Sequence, residues 1–132
     1  MIDGRLPVAP KVLFGIVDVR DAADLHIAAM MAPEAAGQRF IAVSGAPLSL
    51  IQIAGTLRGL GSIGSRAPVW QPPDWAVPAM ARFLPPLRQF VSRIGMPRLA
   101  SSDKARTVLG WSPRPVEETI AATAESLVAL NQ

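Results

Sequence analysis

Three groups of residues have types and spacings that could do chemistry. Glycines 59, 61 and 64 spell a literal G-x-G-x-x-G, the spacing with which backbone amides cradle a pyrophosphate. That chemistry needs a strand before the glycines and a helix after them, so that a helix start aims its N–H groups at the phosphates. Here the glycines follow a helix pattern, Pro68 arrives four residues later, and no acid stands near twenty positions on to hold a ribose. The spacing therefore reads as a helix stop followed by a flexible loop. His26 is the only histidine and the chain has no cysteine, so a zinc site has too few nitrogen and sulfur ligands. No paired serine and carboxylate surround His26 in the manner of a hydrolase triad. Ser44-Gly45 lacks the preceding glycine of a nucleophile elbow.

The elements that would hold these residues follow from patterning. Phe14 to Val17 reads as a short strand leading into a helix from Val19 to Met31. Asp18 is its N-cap and Asp21 lies in its first turn, both acids suited to the positive helix end. Val19, Ala22, Ala23, His26, Ile27 and Met30 recur at helical spacing and predict its buried face. Arg39 to Val43 is β-prone and ends at Ser44-Gly45, which predicts a second strand. Ser49 and Gln52 have capping-box spacing and open a helix carrying Leu50, Ile53, Ala54 and Leu57. Ala67 to Trp70 reads as an edge strand, proline excluding it from a central ladder. Asp74 is expected to cap a helix through Trp75, Met80 and Phe83, and helix resumes over Leu87 to Ile94. Ser101 or Ser102 opens a short helix, Asp103 to Leu109, which Gly110 stops. A last helix begins at Pro115 with Ile120, Ala124, Leu127 and Leu130 as its buried stripe.

Composition narrows the class. The chain has 132 residues, 50% hydrophobic, with a net charge of +3, which argues for a folded globular chain over disorder. Thirteen prolines and ten glycines imply many short elements. The absence of cysteine excludes a disulfide scaffold and fits a reducing compartment. Neither a secretory leader nor an uncharged apolar run of ~18 residues is visible, so a cytoplasmic location without a membrane partner is expected. The pI near 10.6 comes from eleven scattered arginines and two lysines. With no dense run and no aromatic interleaving, no nucleic-acid partner is expected.

Two segments carry a resemblance: Val17-Asp18-Val19-Arg20-Asp21-Ala22-Ala23-Asp24-Leu25-His26, and Leu109-Gly110-Trp111-Ser112-Pro113-Arg114. Together with Asp3 to Pro7, Gly37 to Ile41 and Ser102 to Arg106, they resemble the C-terminal, substrate-binding part of extended short-chain dehydrogenases. That family belongs to the NAD-dependent epimerase/dehydratase superfamily, and the similarity is to its dihydroflavonol-reductase-like and aldehyde-reductase-like branch. The resemblance implies an α/β chain, mostly helical with a few short strands. Residues 1–132 would form a single substrate-binding portion, with the Rossmann-type cofactor domain absent. It also implies a parent enzyme that uses NAD(P) to reduce a carbonyl or oxidise an alcohol. The family's base is the tyrosine of Y-x-x-x-K, and this chain contains no tyrosine, so no catalytic, cofactor-binding or metal-ligating residue carries over. The expectation is a chain that is inert alone and binds no cofactor by itself. Phe14 falls where sugar-nucleotide members carry a phosphate-gripping arginine, which assigns it to substrate binding and favours an apolar aldehyde or ketone. A homo-oligomer or a complementing N-terminal chain is the expected partner. The other reading is a non-catalytic interaction module that pairs through an exposed sheet edge.

Overall fold

The computed structural model describes residues 6–94 and 100–130. In chain order the elements are strand β1 (Leu13–Phe14), helix α1 (Val19–Met31), strand β2 (Leu48–Ser49) and helix α2 (Leu50–Gly59), then α3 (Ala76–Phe83), α4 (Arg88–Val91), α5 (Asp103–Leu109) and α6 (Val116–Leu130). Helices predominate, as the sequence implied, and β1 and β2 form one antiparallel pair in which Leu13 faces Ser49 and Phe14 faces Leu48.

The chain divides into two compact units. The first comprises residues 1–14, 48–98 and 120–132, and the second residues 15–47 and 99–119. The first is organised by an apolar cluster of Leu6, Val8, Ala9, Val12, Leu50, Ala81, Leu87 and Phe90. Its entry to α2 is the expected capping box. The Ser49 side chain accepts the Gln52 amide N–H while the Gln52 side chain accepts the Ser49 amide N–H at 2.8 Å, so the helix start is satisfied from both directions. Leu50, Ala54 and Leu57 are its buried face. The Trp70 carbonyl accepts the Ala9 N–H at 2.9 Å, yet Ala67 to Trp70 is not the strand expected. The segment is also held by the Ala67 N–H to the Gly64 carbonyl and by Arg58 to the Pro68 carbonyl, but these are separate bonds to different places, and Pro68 has no N–H to extend a ladder. Asp74 does not cap α3. Trp75 stands at the cap position, and no side chain satisfies the helix start. Pro85-Pro86 opens a 3-10 turn, Pro85–Leu87, that leads directly into α4. Leu87 to Ile94 is thus shorter in helix than expected, and Gly95 lies outside the described residues.

The second unit has a smaller core of Leu25, Ala105 and Trp111 with Val17, Phe40, Ala42 and Leu109 around it. Helix α1 has the predicted bounds, but the predicted buried face is wrong. Asp21 and Leu25 are buried, whereas Val19 is 80% and Met30 86% exposed. Hydrophobicity alone picked the outer side, because the true inward stripe contains a carboxylate. The predicted strands also differ. Pairing is confined to Leu13–Phe14, not Phe14 to Val17, and Arg39 to Val43 is not a strand. Beyond that segment, the Ser44 N–H donates to the Ile16 carbonyl at 2.7 Å; a β-prone segment becomes a strand only where a neighbour supplies a continuing ladder. In α6, Ile120 and Ala124 are buried as expected, but Leu127 is 45% and Leu130 80% exposed.

Candidate functional site

Within the second unit the two ends of the sequence pattern meet at Asp21. Asp18 is extended and accepts the Arg20 amide N–H at 2.9 Å, which caps α1. This sets Asp21 in the first helical turn, where a negative charge suits the helix dipole. At the far end, α5 stops at Gly110, whose φ of +62° is open to glycine without strain. The Gly110 N–H returns to the Arg106 carbonyl and the Trp111 N–H to the Ala105 carbonyl, a Schellman ending that fixes the direction of the exit chain. Trp111 is thereby delivered into the core beside Leu25. Its indole N–H donates to the Asp21 carbonyl at 2.8 Å. Trp111 is buried, and its cluster neighbours are Leu25 and Ala105.

Arg114, three residues on, closes the arrangement. Its backbone N–H donates to Asp21 Oδ2 at 3.0 Å, and its Nε and Nη2 reach Asp21 Oδ1 at 3.0 and 2.9 Å. Ser44, buried, donates its hydroxyl to the Arg114 carbonyl. Glu118 lies 3.8 Å from the outer face of the guanidinium. The neighbouring Asp18 carboxylate is gripped in turn by the Arg20 Nε and Nη2 at 2.9 and 2.8 Å. Arg20's side-chain and amide hydrogen bonds hold the Asp18 carboxyl well below the usual carboxylate range. Each buried carboxylate thus accepts three hydrogen bonds from one arginine, an arrangement that fixes geometry at the start of α1.

Comparison with protein-family models, with curated proteins and with solved structures finds no match.

The residues singled out from sequence fall in different units. Phe14 lies on β1 in the first unit, half-buried and edge-on to Phe90 with ring centroids 6.4 Å apart. His26 is on the exposed side of α1, its ring Nδ1 2.7 Å from the Ala22 carbonyl oxygen. Among the described residues no group of three histidine, cysteine or carboxylate side chains could hold a metal. The glycine motif does not fit a dinucleotide. It sits at the C-terminal end of α2, where carbonyls point outward, and closes as a 3-10 turn over Gly61–Gly64 in place of the flexible loop expected. A Cβ on Gly64 would lie 1.8 Å from the Leu57 carbonyl oxygen, so this glycine serves close packing on its own helix. The relation that sequence reasoning missed is Asp21 with Arg114, 93 positions apart. Each belongs to its own sequence segment, and nothing local links them.

Proposed function

We propose that the chain is the substrate-binding portion of an NAD(P)-dependent oxidoreductase of the extended short-chain dehydrogenase type. It acts on an apolar aldehyde, ketone or alcohol and is inert by itself. The observation that carries this reading is the Asp21 clamp. The two segments bearing the resemblance, Val17 to His26 and Leu109 to Arg114, are joined through Asp21, Trp111 and Arg114. That convergence gives a physical reason for the two segments to occur together, which a chance similarity would lack. Phe14, only half-buried, keeps ring surface for an apolar ligand and offers nothing to a phosphate.

Restoring the coding sequence upstream of Met1 tests the reading. The longer protein should contain a glycine-rich loop and Y-x-x-x-K and oxidise NADPH or NADH with apolar carbonyl compounds, while the 132-residue chain shows no nicotinamide binding by calorimetry. An upstream sequence without those motifs overturns the proposal. It would leave the second reading, an interaction module, with the outer side of α1, where Val19, Ile27, Met30 and Met31 are 56–86% exposed, as its contact face in place of the sheet edge expected at Arg39 to Val43, which is not a strand. In that case light scattering behind a sizing column would show mass rising with concentration.

A further inference from the structure

Helix α3 is apolar on nearly every side, yet only one side is covered. Its sequence, Ala76 to Phe83, holds a single charge, Arg82. Val77 and Ala81 are buried and Met80 and Leu84 half-buried, which defines the inward face. Trp75, Pro78, Ala79, Arg82 and Phe83 fall on the opposite arc at 100° per residue, and all are exposed, Trp75 and Phe83 at 81% each. A helix apolar all round is ordinarily buried all round. At its C-terminal half Arg88 Nε donates to the Ala81 carbonyl at 3.1 Å, which tethers a second exposed guanidinium beside the strip. From residue 58 to 98 the sequence has six arginines and one acid, Asp74. Among the described residues none of Arg66, Arg82 and Arg93 is paired with a carboxylate.

We infer that the outer face of α3, with Trp75 and Phe83 as apolar anchors and Arg82 and Arg88 as headgroup contacts, docks on an anionic phospholipid surface. Charge decides the occupant. The named face carries two arginines and no carboxylate, so a second copy brings it no opposite charge, whereas an acidic leaflet does. Protruding tryptophan and phenylalanine suit the headgroup boundary, where an amphipathic ring has apolar and polar surroundings at once. Single-stranded nucleic acid could also stack on such rings, and it is separated from lipid by an outcome of the test below. No helix among the described residues is long and apolar enough to cross a membrane, so the helix lies on the surface. This inference does not depend on the enzymatic reading. The lack of a long apolar run, on which no membrane partner was expected, bears on spanning and leaves surface docking by exposed side chains open.

Sedimentation of the purified chain with phosphatidylcholine vesicles, with and without phosphatidylglycerol, tests it. Binding is expected only with the anionic lipid and should weaken as salt is raised. Arg82→Gln, at an exposed and unpaired position, should weaken it about fivefold, and Trp75→Ser with Phe83→Ser should abolish it with the circular dichroism spectrum unchanged. Equal binding to neutral vesicles, or none to either, overturns the inference. So does loss of single-stranded oligonucleotide binding, or of dimer formation, in the Trp75→Ser/Phe83→Ser protein with vesicle binding intact.

Discussion

The two units solve the same problem by different means. The first holds together through volume, with eight cluster residues and Phe14 and Phe90 edge to edge, and its stretches carry eight basic residues against three acidic. The second has three buried apolar residues at its centre and carries seven acidic residues against five basic. It compensates with direction: a carboxylate, an indole and a guanidinium tie the start of one helix to the exit of another. All three ion pairs found among the described residues lie in this unit. A small core can specify one arrangement if its polar groups have a single satisfactory geometry. A larger apolar core can leave its surface charges unpaired and available.

The contrast is sharpest at Trp111. Trp111→Ala removes both the largest side chain of the small core and the hydrogen bond to the Asp21 carbonyl, so it should cost about 3 to 5 kcal/mol. Urea unfolding followed by circular dichroism measures it. If the loss were below that of an Ile→Val change, the second unit would not depend on this ring. Asp21→Ala should come next, at about 2 to 3 kcal/mol. It strands three Arg114 donors, but the guanidinium is 24% exposed and water can recover part of the loss. Asp21→Asn retains acceptor geometry and should recover part of it.

In the first unit the corresponding sensitivity is steric. Gly64→Ala places a methyl on the Leu57 backbone, where no flexible side chain can yield, and about 1 to 3 kcal/mol is expected from forced displacement of α2's last turn. A neutral result in thermal melts would mean that the 3-10 turn is free to move away, and that packing in this unit is looser than its cluster implies. By contrast Ile27→Gln, on the outer side of α1, should change stability by less than about 0.5 kcal/mol.

These differences also separate what could be read in the sequence from what could not. Local signals were legible. The Asp18 cap, the Ser49–Gln52 box, the Gly110 stop and the bounds of α1 and α5 depend on a few neighbouring residues, and the structure bears them out. Facing was less legible, because it depends on partners far along the chain. The inward stripe of α1 includes Asp21, and only Arg114, 93 positions away, makes burial of that carboxylate tolerable. Strand identity failed at Arg39 to Val43 for the same reason, since propensity does not provide a ladder neighbour. The exposure of Trp75 and Phe83 was invisible too, as hydrophobic periodicity in a helix apolar on both sides names no outward face.

The smallest expected effect concerns acid and separates Asp18 from Asp21. Arg20's hydrogen bonds lower the Asp18 carboxyl in the folded chain from its ordinary 3.8. The unfolded chain therefore binds a proton more readily at low pH. The stabilisation linked to Asp18 is complete above the ordinary carboxylate range and drains away as pH falls below it toward the depressed folded value. Asp18→Asn removes that titration but keeps a good N-cap, since asparagine serves the position about as well as aspartate. At neutral pH the Asp18→Asn protein should melt somewhat below the wild type, because it lacks the charge-assisted bonds to Arg20, and on acidification it should lose stability less steeply, so that the gap closes. Parallel acid limbs would mean that Arg20, itself 54% exposed, spends too little time on the carboxylate to hold its proton off, and that the polar lock of the second unit rests on Asp21 and Arg114 alone.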